Sequence, residues 1–92
     1  MKRLYQRNEN IIIRKLGKNQ WALDMETGSE YGLNEISFDM LNILSAPHSV
    51  DELLNEIINV YNVSRDALVE DCNTWLETAL QKGLVDVYNN EQ

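Results

Sequence analysis

Few side chains in this chain could do chemistry, and none has the company it would need. His48 is the single histidine and follows Pro47. No second histidine or cysteine stands near it, whereas a zinc site wants convergent ligands. A loop histidine at the surface is expected. Cys72 is the single cysteine, next to Glu70 and Asp71. A nucleophilic thiol needs a base and an electropositive setting, and neighbouring acids do the opposite. Cys72 also falls on an apolar helical stripe, so a buried structural cysteine is expected. The carboxylate pairs Asp51-Glu52 and Glu70-Asp71 lie at helix starts or on outer helix faces, with no second catalytic group beside them. The four glycines are isolated rather than gathered into a phosphate-binding loop. These patterns point away from catalysis, metals and cofactors.

The elements that must position these residues are bounded by composition. Ninety-two residues make one domain with one modest core. The organisation expected is a basic N-terminal arm over residues 1–9 and a folded domain over residues 10–90. The run Ile11-Ile12-Ile13 is too short for a signal peptide, and no apolar run approaches the ~20 residues of a membrane helix. A lone cysteine excludes an internal disulfide, so a cytoplasmic setting is expected.

The net charge is −7, and its distribution is uneven. Lys2, Arg3, Arg7, Arg14, Lys15 and Lys18 supply six of the eight bases, while fourteen of the fifteen acids lie beyond residue 18. An acidic body repels phosphate and favours basic partners. The plainer alternative is that the acids keep a small protein soluble.

Met1 to Asn10 reads as a polar, partly mobile arm. Ile11 to Leu16 reads as a strand, followed by a turn at Gly17-Lys18-Asn19. Trp21, Leu23 and Met25 alternate with Gln20, Ala22 and Asp24, the period of a half-buried strand. After the turn at Thr27-Gly28, Tyr31 and Leu33 share one face of a third strand, with Glu30 and Gly32 on the other. Asn34 suits the N-cap of a first helix containing Ile36, Met40, Ile43 and Leu44. Ser49-Val50-Asp51-Glu52 is a capping box for a second. Ser64 caps a third, with Leu68, Cys72, Trp75, Leu76, Ala79 and Leu80 as its stripe. Gly83 suits its C′ position, and Leu84 to Tyr88 reads as a last extended segment. The fold class expected is α+β: a three-stranded antiparallel sheet packed on three helices, in an order like a winged helix-turn-helix.

That order raises DNA binding, but the third helix offers Asp66, Glu70, Asp71 and Glu77 to a polyanion. Peptide binding fits the residues better. If the third strand is a sheet edge, it can accept an incoming strand, and Gly32 leaves one face open to close approach. The third helix would then wall a groove, with Trp75 and Leu76 directed differently from Leu68 and Cys72. The alternative is that all these residues are plain core and the arm or last segment covers the edge.

Several stretches carry a resemblance: Leu23-Asp24, Thr27-Gly28, Tyr31-Gly32-Leu33-Asn34, Ser49-Val50-Asp51-Glu52-Leu53, Tyr61-Asn62-Val63, Asp71, Trp75-Leu76 and Lys82-Gly83-Leu84-Val85. In order and spacing, over residues 8–88, the chain resembles the PqqD-like family. That family is similar to the recognition elements of ribosomally made, modified peptides. The resemblance implies binding of a precursor's leader peptide as an added strand. It implies strand contacts at Glu30, Tyr31, Gly32 and Leu33, and helix contacts at Leu68, Val69, Cys72, Trp75 and Leu76. Asp71 would receive a hydrogen bond or a basic leader side chain. The length resembles the leader-binding protein of lasso-peptide pathways, whose partners are a leader peptidase and a cyclase. The close alternative is the peptide chaperone of pyrroloquinoline quinone synthesis, which serves a radical SAM enzyme. A winged-helix DNA-binding regulator is a more distant one. No nucleic acid or membrane partner is expected, and the chain would be a monomer or a weak dimer.

Overall fold

In the computed structural model, residues 2–90 are described. Their order is β1 (Lys2–Arg7), β2 (Ile11–Leu16), β3 (Asn19–Asp24), β4 (Glu30–Gly32), α1 (Glu35–Ile43), α2 (Val50–Tyr61), α3 (Arg65–Gln81) and β5 (Val85–Asn90). Strands β2, β3 and β4 form an antiparallel meander in that spatial order, and β1 pairs with β5 in a second, two-stranded sheet. The expected α+β architecture of a three-stranded sheet with three helices is present.

Local signals account for most boundaries. The Asn34 side chain accepts from the Ser37 N–H at 2.8 Å, and that of Ser64 from the Ala67 N–H at 3.2 Å. Ser49 and Glu52 close both halves of the capping box, at 2.8 and 3.2 Å. Each cap satisfies helix-end donors that would otherwise lack a partner. Gly83 ends α3 with φ +75°, a left-handed conformation that a side chain would strain. There its N–H reaches the Leu80 carbonyl and that of Leu84 reaches the Ala79 carbonyl, which is the Schellman arrangement. This turn drives Leu84 into the core and launches β5.

All three helices face one core. Leu41 and Leu44 come from α1 and its cap, Leu53, Leu54 and Ile57 from α2, and Cys72, Leu76 and Ala79 from α3; all are almost fully buried. Ile11 and Ala22 close it from the meander, and Tyr5 and Val85 from the second sheet. The inner face of the meander carries Ile11, Ile13, Ala22, Tyr31 and Leu33. Lys15 shares it, with its Nζ 5.8 Å from the centre of the Phe38 ring on α1.

Three features differ from the reading of the sequence. Residues 2–7 are a strand rather than a mobile arm; Met1 lies outside the described residues. Tyr5 pairs with Val87 across the two sheet strands and with His48 in an isolated bridge, by bonds of 2.8 and 2.9 Å. His48 is thus held by its backbone and half-buried, not a free loop residue. Lastly, β3 alternates as expected, but Ala22 is the fully buried member, while Trp21 and Leu23 lie on the face away from the helices.

Leu54 touches the centre of this core with no exposed surface. Leu54→Ala should cost about 2–5 kcal/mol in urea unfolding. Leu16→Ala, at a position 72% exposed, should change stability by less than about 0.5 kcal/mol. Equal losses would contradict this assignment of the core.

Candidate functional site

The geometry that matters starts with the hydrogen-bond phase of β4. The Leu33 N–H donates to the Gln20 carbonyl and the Asp24 N–H to the Ser29 carbonyl, both at 2.9 Å. Ala22 and Tyr31 are partners midway between these pairs. Antiparallel pairs alternate between bonded and non-bonded, so Tyr31 and Leu33 spend their backbone groups on β3. Glu30 and Gly32 direct their N–H and C=O to the outer edge. No strand among the described residues pairs with that edge. The arm and the last segment, which could have covered it, pair with each other instead.

Beside this edge runs a groove against α3. Its first part, a cavity of about 160 Å³, lies between β4 and the C-terminal half of α3, with Tyr31, Gly32, Leu33, Trp75, Thr78, Ala79, Lys82 and Leu84 around it. Its second part, about 260 Å³, lies between the start of α1 and the middle of α3, bounded by Asn34, Ile36, Met40, Leu68, Asp71, Cys72 and Trp75. Ser37 and Trp75 border both. The Trp75 Nε1–H donates to Ser37 Oγ at 3.1 Å, which fixes the indole as the ridge between the two hollows. Tyr31 is held at the other end. Its hydroxyl donates to the Lys82 carbonyl at 3.4 Å, a long contact, and the Lys82 Nζ sits 5.7 Å from its ring centre, within cation–π range.

Seven of the ten residues singled out from the sequence border this groove: Tyr31, Gly32, Leu33, Leu68, Asp71, Cys72 and Trp75. Glu30 is exposed on β4 beside it. Val69 is half-buried against the core and borders neither hollow. Leu76 is 2% exposed within the core and meets a different surface depression beside Arg3 and Tyr5. The helix therefore divides otherwise than expected. Leu68, Cys72 and Trp75, spaced i, i+4 and i+7, share the groove face, and Leu76 turns inward. Residues the sequence reading passed over as site members are Ser37, Ile36 and Met40 of α1, and Thr78, Ala79, Lys82 and Leu84. A signal existed for one: Ser37 is a polar residue on the apolar face of α1, and such a residue needs a buried partner.

The lining can bind but has little means to react. Burial pushes the Cys72 thiol up to about 11. No group of three or more His, Cys, Asp or Glu side chains is placed to hold a metal among the described residues. Among the same residues, no helix is long and apolar enough to cross a membrane. A hollow of about 460 Å³ beside β1 and β5 is bordered mainly by polar groups, including Arg7, Glu9 and Asp86.

The sequence model described as "Coenzyme PQQ synthesis protein D (PqqD)" matches residues 21–85. The chain belongs to the PqqD family. A search of curated proteins finds no match. Two solved structures share the PqqD-like fold. "TbiB1 in Complex with the TbiA(beta) Leader Peptide" superposes with a TM-score of 0.77 at 19% identity, over 92% of this chain and 99% of that one. "Lasso peptide synthetase B1 complexed with the leader peptide" gives 0.72 at 17% identity, over 89% and 96%. At these identities the likeness is one of fold.

The buried thiol gives a direct check. At about pH 8 its thiolate fraction is on the order of one in a thousand, so Cys72 should resist alkylation in the folded protein and react at once in denaturant. Its folded pKa lies above the unfolded value, so this group's contribution to stability is intact below about pH 9 and fades towards about pH 11. Rapid labelling of the native state would show that the floor of the groove is open.

Proposed function

We propose that this chain is a non-catalytic adaptor. It captures the leader peptide of a ribosomally synthesised precursor as a fourth strand on β4 and presents it to the maturation enzymes. The observation that carries this reading is the free outer edge of β4 lying beside an apolar groove. Glu30 and Gly32 offer up to four backbone hydrogen bonds, which hold any extended chain. The two hollows on either side of Trp75 take inward-facing side chains and select among sequences. An added strand alternates its side chains, so those reaching the groove sit at every second position. Leu33, Leu68 and Trp75 contact them, and Asp71 offers a carboxylate to a basic or hydrogen-bonding group. The leader loses conformational freedom on ordering, so a few well-filled anchors must supply the net affinity.

The two leader-bound structures of the same fold support the lasso-peptide form of this reading, in which the enzymes served are a leader peptidase and a cyclase. The family description supports a second form: delivery of a peptide to a radical SAM enzyme in coenzyme PQQ synthesis. Both use one binding mode and differ in the enzyme that receives the peptide. DNA binding finds less support, because α3 presents Asp66, Glu70, Asp71 and Glu77 and because the groove is lined with apolar side chains.

The test uses labelled leader segments of precursor peptides encoded beside the gene. Titration should show saturable binding, with the Glu30 and Gly32 amides newly protected from hydrogen exchange. Leu33→Asp should weaken it at least about tenfold, about 1.4 kcal/mol, with the circular dichroism spectrum retained. Unchanged affinity in a folded Leu33→Asp protein places the ligand elsewhere. A mobility shift with duplex DNA at physiological salt would favour the regulator reading.

A further inference from the structure

Gly32 is a glycine without a backbone reason to be one. Its φ is not in the left-handed region, unlike those of Gly17, Gly28 and Gly83. A Cβ built on it meets no heavy atom within 4 Å. A glycine inside a strand weakens the strand, and such a residue marks a place where something approaches closely. The open space lies on the face of the meander turned away from the helices, because Gly32 alternates with the inward Tyr31 and Leu33. Directly across on β3 stands Trp21, the register partner of Gly32, and across from Trp21 on β2 stands Arg14. Trp21 is half-buried. It belongs to an outer apolar stripe with Ile12, Leu23, Leu16 and Met25, the last two 72% and 61% exposed.

We propose that Trp21 and the gap over Gly32 form a third reading site for the same captured strand, on the opposite face of the sheet from the groove. It takes one bulky apolar side chain, aromatic or long aliphatic. The inference rests on strand addition at β4. Gly32 points its N–H and C=O outward, so the residue level with it on the added strand forms a hydrogen-bonded pair with it, Cα atoms about 5.5 Å apart. That residue's side chain must emerge on the Gly32 face, since levelled residues in neighbouring strands share a face. With strands about 4.8 Å apart, Trp21 lies about 10 Å away. Any side chain at position 32 would stand between them. With glycine there, a long apolar side chain lies over the β4 backbone and reaches the indole. The recognised segment therefore carries apolar residues of both parities. Counted from a side chain seated in the groove, those at even offsets enter the groove beside Trp75, and one at an odd offset, level with Gly32, lies on Trp21.

The test selects a yeast-displayed library of random peptides on the wild-type protein. It then measures the selected peptides against Trp21→Ala, Gly32→Val and Leu33→Asp, each checked for folding by circular dichroism. Both Trp21 and Gly32 lie outside the helix-facing core, and Gly32→Val fills the gap without backbone strain. Binding should fall about tenfold in Trp21→Ala and in Gly32→Val. Changing the odd-offset apolar residue of the peptide to Ala should abolish the difference between wild type and Trp21→Ala. If both outer-face variants bind as wild type while Leu33→Asp does not, the third site is wrong and the groove stands. If Leu33→Asp also binds normally, strand addition itself is wrong. A library that yields no binder counts against both.

Discussion

The candidate site depends on one short edge strand that lies beside a groove. Strand β4 has three residues, and its inner side is committed to β3. Its outer side presents the backbone groups of Glu30 and Gly32 to whatever comes. An unpaired edge is a hazard, because it templates pairing with any extended chain. Here the hazard is limited by length, by the charge of Glu30 and by the groove alongside. Two open residues give too few bonds to hold a partner by backbone alone. Binding must draw on side-chain anchors, which converts an indiscriminate edge into a selective one.

The helices supply those anchors by an economical device. On α3, one face is core and the adjacent face is groove, and the boundary runs between Leu76 and Trp75. Leu76 packs inward, Leu68 and Trp75 line the slot, and Cys72 and Ala79 are core residues that also border it. The bond from Trp75 to Ser37 ties α1 to α3 at the place where the slot divides. That bond restrains the indole, and a restrained side chain has less freedom to lose on binding. A further tie lies between α1 and α2, where the Tyr61 hydroxyl donates to Asp39. Burial above all, then that bond and the nearby charges of Asp39 and Glu35, hold the Tyr61 phenol well above its usual pKa.

The second sheet explains why the edge stays free. Residues 2–7 and 85–90 could each have capped β4, and either would have closed the site. They pair with each other instead. Tyr5 and Val85 are buried in the process, and the Asn8 amide donates to the Asp86 carboxylate at 3.1 and 3.2 Å. The basic N-terminal segment is thereby part of the packed structure.

The chain's sequence determined its local architecture, because the signals there are short-range. Asn34, Ser49 and Ser64 cap helices through their own next residues, Gly83 terminates α3, and the meander follows from alternating strands joined by tight turns. Family resemblance, carried by runs such as Tyr31-Gly32-Leu33-Asn34, pointed to β4 and α3 as the candidate site. Only the tertiary structure decided three matters that depend on distant partners. The β1–β5 pairing joins residues more than 75 apart in sequence, and nothing local in Lys2–Arg7 announces it. The phase of β3 placed Ala22 inward, fully buried, and Trp21 outward, and alternation alone does not say which set faces the helices. The division of α3 between core and groove turned on which neighbours stand opposite Trp75 and Leu76. Periodicity says that these residues lie on an apolar sector; it cannot say which part of that sector is covered.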